Sequence, residues 1–234
     1  MTYAEGLPPT GQAEPDIPRF TSEAVLTIGV EQGWADPVNP NDVDFSQRPS
    51  FMGPLDFDDG GRPLNPHRTP DMYGDRGDLG KWGPNNAADP VVIGDGKILL
   101  IRRKDTGQWA LPGGMVDPGE HVSLTARREL LEEAGIDLGE MEGEVIYEGY
   151  VDDPRNTCNT WMETTVRLFR VNHKPEPHAG DDAAEARWFD CSDMDTLVAA
   201  TRQFDIAHGR QARPLYASHG EIISVALQRV KLGR

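Results

Sequence analysis

The stretch RELLEEAG, residues 128–135, constrains the fold of this chain more than any other. The apolar spacing over residues 121–134 reads as an amphipathic helix. Gly135 ends it, because glycine takes the left-handed conformation that closes helices. At about 100° per residue, with Glu129 at the origin, Glu133 falls near +40° and Glu132 near −60°. The three carboxylates therefore share an arc of about 100°. Leu124, Ala126, Leu130, Leu131 and Ala134 cover about +60° to +220°. The expectation is a helix that packs this apolar face on a sheet and leaves an anionic face beside it. Like charges at this spacing destabilise a helix by roughly 0.2–0.5 kcal/mol per pair. Either the acidic edge is simply solvated, or a cation sits against it.

The residues upstream favour the cation. Gly113 and Gly114 end an expected strand, and Asp117-Pro118-Gly119 makes a turn before Glu120. Glycines let a backbone turn sharply and approach other groups closely. A backbone carbonyl directed there and several carboxylates would form a hard-oxygen site, suited to Mg²⁺ or Mn²⁺. Glu120 and Arg128 are expected to form a structural ion pair that locks the loop onto the helix.

GMVDPGEHVSLTARRELLEEAGI, residues 114–136, resembles the Nudix box in full. Nudix enzymes hydrolyse a diphosphate linked to another moiety and use a divalent metal. The resemblance implies that Glu129, Glu132 and Glu133 are metal ligands, helped by the Gly113 carbonyl, with Glu120 and Arg128 as the structural pair. It also implies an α+β fold, the α/β/α Nudix sandwich with a mixed sheet between helices.

The rest of the chain agrees with such a fold. VVIGDGKILLIRRK reads as two strands around a Gly-Asp-Gly turn, and WALPGG as a short strand and loop. EVIYEGYVDD, WMETTVRLFRV and EARWFDC are further strands, with PRNTCNT a polar loop between the first two. SDMDTLVAATRQF reads as a helix with Ser192 as N-cap, and SHGEIISVALQRVKL as a closing helix. Ahead of these, TSEAVLTI reads as a strand, and residues 34–90 are dominated by turn-forming residues. Trp34, Phe51, Phe57, Met72, Tyr73 and Trp82 argue that this region is folded rather than a linker. The expected organisation is a flexible arm over 1–18, a small irregular subdomain over 19–84, and a Nudix domain over 85–234.

Charge and flanking segments narrow the function. The 234 residues carry a formal net charge of −16, which disfavours nucleic acid as a partner. No apolar run is long enough to span a membrane. The first residues lack both a basic, apolar leader and an Arg-rich transit pattern, so the expected location is cytoplasmic. Cys158 and Cys191 show no metal or redox spacing and are expected as free thiols. The segments at 61–92, 102–120, 149–164 and 179–190 resemble the mitochondrial type of ADP-ribose pyrophosphatase and the related domain of TRPM-type channels. That resemblance implies hydrolysis of ADP-ribose to AMP and ribose 5-phosphate. The intact RE and EE pairs favour catalysis over sensing.

Candidate substrate contacts follow from chemistry. Arg103 and Arg155 can meet phosphate oxygens, with strand alternation allowing only one of Arg102 and Arg103 on the site face. Trp82 or Trp161 can stack on adenine, with core packing as the alternative for each. Asp152, Asp153, Asn156, Asn85 and Asn86 can hydrogen-bond ribose hydroxyls, with turn formation as the alternative. The base that activates water is Glu132, Glu133 or a carboxylate of the GDDAAE loop, which includes Asp181, Asp182 and Glu185. None of the six histidines receives a role. Another nucleoside diphosphate derivative as substrate, or a non-catalytic ADP-ribose-binding module, are the competing readings.

Overall fold

The computed structural model describes residues 17–117 and 119–232. The expected arm over 1–18 lies outside the described residues except for Ile17 and Pro18. Ile17 is buried, and the Pro18 carbonyl accepts the Gly74 N–H at 2.8 Å. By internal contacts the chain forms two units. The first contains the described residues up to Asn86 together with Gly149–Glu163; the second is Ala87–Glu148 with Thr164 onward.

The first unit has little regular structure. Strand β1 (Arg19–Thr21) pairs in parallel with β2 (Gly74–Gly77). TSEAVLTI is not a strand beyond Thr21. Val25–Gly29 forms a π-helical turn, continued by α1 (Val30–Gln32) and closed at left-handed Gly33. The Ser22 carbonyl opens this helix by accepting the N–H groups of Val25 and Leu26. Burial follows the helical spacing, with Val25 and Gly29 inside and Leu26 and Ile28 exposed, where a strand would bury alternate residues.

Buried amides take the place of a strand ladder in the rest of this unit. Asn65 Nδ2 donates to the Thr157 carbonyl at 2.8 Å, and Asn159 Nδ2 to the Pro63 carbonyl at 3.0 Å. Asn159 Oδ1 accepts the Asp75 N–H at 2.9 Å, and Asn85 Nδ2 donates to Thr160 Oγ1 at 2.7 Å. A turn-rich segment must pair its buried backbone groups with something, and here side chains do it. PRNTCNT is therefore the strap of the first unit rather than a plain connection.

A seven-stranded sheet organises the second unit; residues 83–86, 149–151 and 160–163 of its strands fall in the first. Its strands are β3 (Gly83–Gly94), β4 (Lys97–Arg103), β5 (Trp109–Ala110), β6 (Gly114–Met115), β7 (Glu144–Val151), β8 (Thr160–Arg170) and β9 (Ala183–Asp190). The order is β5-β4-β3-β8-β7, with β6 on β3 and β9 on β4. The helices are α2 (Val122–Ala134), α3 (Met194–Ala207) and α4 (Ala217–Leu232). Alternation along the strands feeds two cores. Val91, Ile93, Ile98 and Leu100 pack with Leu197 of α3 and Ile222, Ile223, Ala226 and Leu227 of α4. Val92, Leu99 and Ile101 pack with Leu130 and Ala134 of α2. The sheet thus lies between α2 on one face and α3 with α4 on the other, the α+β class expected.

Two local expectations change. The N-cap of α3 is Asp193, not Ser192: its carboxylate accepts the Thr196 N–H at 2.7 Å, the three-residue reach a cap requires. On α2, Leu124 and Leu131 are exposed rather than packed on the sheet. The buried arc instead runs from Thr125 through Glu129, Glu133, Ala126 and Leu130 to Ala134, rotated by about 80° toward the carboxylates.

Candidate active site

That rotation creates the electrostatics of the site. Glu129 and Glu133 are buried at 8% and 5% exposure, whereas the Glu132 side chain is 43% exposed. Burial pushes the Glu133 carboxyl up to about 7. Glu129 and Asp182 add to this, and the Gly113 N–H and Arg103 oppose it. Glu129 is also pushed up, first by burial, with Glu132 and Asp181 contributing and Arg128 opposing. Both carboxyls therefore hold their protons more tightly than a solvated glutamate does.

The glycine loop sets the approach. The Gly113 N–H donates to Glu133 Oε2 at 2.9 Å, so this residue touches the site through its amide as well as being the expected carbonyl donor. A Cβ on Gly114 would overlap the Glu129 carboxylate, which is why glycine is required there.

Arg128 does more than expected. Its Nε and Nη2 donate to the two oxygens of Glu120 at 3.0 and 2.9 Å, forming the structural pair. Hydrogen bonding from Arg128 holds the Glu120 carboxyl down at about 2. Arg128 Nη1 also reaches Glu129 at 2.6 Å and Glu132 at 3.0 Å, and Nη2 reaches the Met115 carbonyl at 3.2 Å. This bridge goes beyond the expected Glu120 pair, although Glu132 lies one turn from Arg128.

The GDDAAE loop seats on the end of α2. His178 and Gly180 donate their N–H groups to the carbonyls of Ala134 and Glu133 at 2.8 and 3.2 Å, pairing groups that a helix end leaves open. Lys104 binds the same loop, through its N–H to the Asp182 carbonyl at 3.0 Å and through Nζ to the Asp181 carbonyl. Asp182 thereby comes within electrostatic reach of Glu133. Glu185 does not join it, because it forms a two-pronged pair with Arg210. Arg103 shares the α2 face of the sheet with Ile101, as alternation requires. Its guanidinium binds Asp105 at 3.0 and 2.8 Å and lies 4.8 Å from the Tyr216 ring centre. No sequence signal pointed to Tyr216.

The remaining expected contacts belong to the first unit. Asp153 accepts the Arg155 N–H, Nε and Nη2 at 2.9, 2.8 and 2.9 Å, so these two side chains pair with each other. Asn156 donates to Tyr150 Oη and the Val151 carbonyl at 2.9 and 2.8 Å and accepts the Met162 N–H at 2.8 Å. Turn formation describes Asn156 better than ribose binding. Trp161 is 1% exposed and donates to Glu163 at 2.7 Å; Trp82 is 4% exposed and donates to the Pro37 carbonyl at 3.1 Å. Core packing is the arrangement these two indoles have, and neither offers an open face for stacking.

The donor set around α2 fits a hard divalent cation, with carboxylate oxygens in excess and two of the groups desolvated. Its convergence is not preset. Among the described residues no group of three His, Cys, Asp or Glu side chains is arranged to hold a metal ion, and the Arg128 guanidinium bridges Glu129 and Glu132 instead.

Comparison with known proteins places this arrangement. The chain is 48% identical to a putative nudix hydrolase 6 of Caenorhabditis elegans, over 61% of this chain and 61% of that protein. It is 39% identical to a mitochondrial ADP-ribose pyrophosphatase of Rattus norvegicus, over 73% of this chain and 62% of that protein. The chain thus spans about three-fifths of the length of these curated relatives. The crystal structure of a MutT/nudix family protein from Enterococcus faecalis superposes with a TM-score of 0.50 at 28% identity, covering 63% of this chain and 62% of that one. The NUDIX domain model matches residues 84–208, a span that contains the glycine loop, α2 and the GDDAAE loop. With that match and the carboxylate arc that α2 builds, the chain belongs to the NUDIX family.

Proposed function

We propose that the chain is a metal-dependent hydrolase that cleaves the diphosphate bond of ADP-ribose to AMP and ribose 5-phosphate. The observation that carries this reading is the pair of buried carboxylates, Glu129 and Glu133, that the box helix sets against the Gly113–Gly114 loop. The 39% identity to a protein named ADP-ribose pyrophosphatase supports the choice of substrate.

Glu129, Glu132 and Glu133 would hold Mg²⁺ or Mn²⁺, with Gly113 beside them. The bound metal would supply charge neutralisation and Lewis acidity toward the diphosphate. Arg128 must then yield Glu129 and Glu132 while keeping Glu120, which its separate Nε and Nη2 contacts permit. Arg103 supplies positive charge on the same face and suits phosphate oxygens. A carboxylate among Glu132, Glu133, Asp181 and Asp182 takes the proton from the attacking water. Asp182 and Asp181 remain in this set because the loop that carries them is anchored to α2 and Lys104. Arg155 and Asp153, which pair within the first unit, stand as separate candidate substrate contacts. A cytoplasmic location remains part of the proposal, tested by cell fractionation.

The test is turnover of a panel containing ADP-ribose, NADH, ADP-glucose, diadenosine polyphosphates and coenzyme A with Mg²⁺, with the products identified. AMP and ribose 5-phosphate from ADP-ribose are expected. Turnover of another member without ADP-ribose would refute the substrate. Binding of ADP-ribose without turnover would support the non-catalytic reading, which similarity to a Nematostella vectensis TRPM-like channel, 41% over 60% of this chain, keeps in view.

A further inference from the structure

Behind the glutamates the second unit holds a set of buried polar groups that the proposed reaction does not use. Asp89, on β3, is 6% exposed. Its Oδ2 accepts the Thr164 hydroxyl at 2.6 Å, and its Oδ1 lies 3.8 Å from His219 Nε2. His219, on α4, accepts the Leu111 N–H at Nδ1 over 2.9 Å. An accepting Nδ1 leaves the ring proton of the neutral imidazole on Nε2, the nitrogen that faces Asp89. Asp89 also presses on Gly113: a Cβ there would overlap Asp89 Oδ1 and crowd the Ala88 carbonyl at 2.9 Å. Both ends of the Leu111–Gly113 segment therefore lie against groups that face one carboxylate: Gly113 by close approach, and Leu111 through an imidazole whose Nε2 is 3.8 Å from Asp89 Oδ1. The Gly113 N–H in turn holds Glu133.

We propose that Asp89 is a positioning residue for the glutamate site, fixing the Leu111–Gly113 segment so that the Gly113 N–H meets the Glu133 carboxylate. A segment that needed only stability would be held as well by apolar packing, whereas a buried carboxylate carries a desolvation cost. The Thr164 hydroxyl fixes Asp89 and the Leu111 N–H fixes the His219 ring facing it, and a carboxylate that must be presented to a ligand needs a fixed direction. The inference rests on the reading of Glu133 as a metal-site carboxylate.

The test uses the full chain with two readouts, the Mg²⁺ dependence of ADP-ribose turnover and the thermal shift produced by Mg²⁺ without substrate. Asp89→Asn is expected to raise the Mg²⁺ concentration for half effect at least fivefold in both. It should lower kcat tenfold or more and leave KM for ADP-ribose within twofold. His219→Asn keeps an acceptor near the place of Nδ1 and should fall between wild type and His219→Ala. Wild-type Mg²⁺ dependence in Asp89→Asn, even with a lowered melting temperature, would overturn the inference. If Asp89→Asn does not fold, Thr164→Val removes only the Oδ2 bond; a two- to fivefold shift is expected, and no shift overturns it. If the wild-type protein itself shows no Mg²⁺ effect, both readings fall; a wild-type effect unchanged in the variants sinks this one alone.

Discussion

Replacing Glu133 by Gln should make the metal-free protein more stable and the enzyme inactive. The Glu133 carboxyl is 5% exposed and raised from 4.5 to about 7 by burial, with Glu129 and Asp182 adding to it. Below pH 4.5 the group is protonated whether the chain is folded or not, and its ionisation costs the fold nothing. As pH rises through about 7 the folded state must carry a buried charge, so stability is lost over pH 5–8. The displacement corresponds to an upper bound of about 3 kcal/mol. Glutamine fills the same volume, can still accept the Gly113 N–H and has no charge to desolvate. Thermal unfolding in EDTA should therefore show wild type melting lower at pH 8 than at pH 5.5, and Glu133→Gln with a flatter dependence. At pH 8 the variant should melt higher by about 4–8 °C if half to two-thirds of the bound is realised. Mg²⁺ should reverse the ranking by stabilising wild type alone, and turnover in the variant should fall by orders of magnitude. A variant that melts lower than wild type in EDTA at pH 8 would refute the argument that Glu133 carries an uncompensated charge.

The other expectations concern the partners of that group. Glu120 is held at about 2 by Arg128, so its contribution is present above pH 4.5 and lost as pH falls toward 2; acid titration of Glu120→Gln should show a shallower loss of stability. Gly114→Ala would push a methyl into the Glu129 carboxylate, and isothermal titration should show weakened Mg²⁺ binding in a protein that still folds. Trp161→Phe removes the hydrogen bond to Glu163 and should cost about 1–3 kcal/mol in urea denaturation while leaving KM for ADP-ribose unchanged. A large rise in KM with unchanged stability would restore the stacking role.

The strands and helices of the second unit were legible because their apolar residues alternate or recur with a clear period. Val91 to Ile93 and Ile98 to Ile101 point to opposite cores in the way alternation demands. The box helix was legible too, together with its Gly135 stop and the Glu120–Arg128 pair. Its orientation was not. Hydrophobicity alone turned Leu124 and Leu131 inward, but the Gly113 N–H binds Glu133 and Gly114, lacking a side chain, leaves room for Glu129. Partners distant in sequence carried that information, and no local period encodes them. The first unit was hard to read for the same reason. Its folding depends on single amides such as Asn65, Asn85 and Asn159 reaching particular carbonyls or hydroxyls. The two indoles are buried on N–H partners, Glu163 and the Pro37 carbonyl, that leave no mark on sequence.

The strap formed by Gly149–Glu163 has a consequence for how the protein is made. The amino-terminal unit emerges from the ribosome first, yet Asn159 and Thr160, which close it, are encoded after most of the sheet strands. At about 5–20 residues per second, synthesis of the 72 residues between Asn86 and Asn159 takes roughly 4–14 s. During that interval the Asn65 Nδ2 group lacks the Thr157 carbonyl and the Pro63 carbonyl lacks Asn159. The amino-terminal unit should therefore finish folding only after β8 has begun to be made. A nascent chain arrested near residue 120 should be far more sensitive to protease in that unit than one arrested after residue 200.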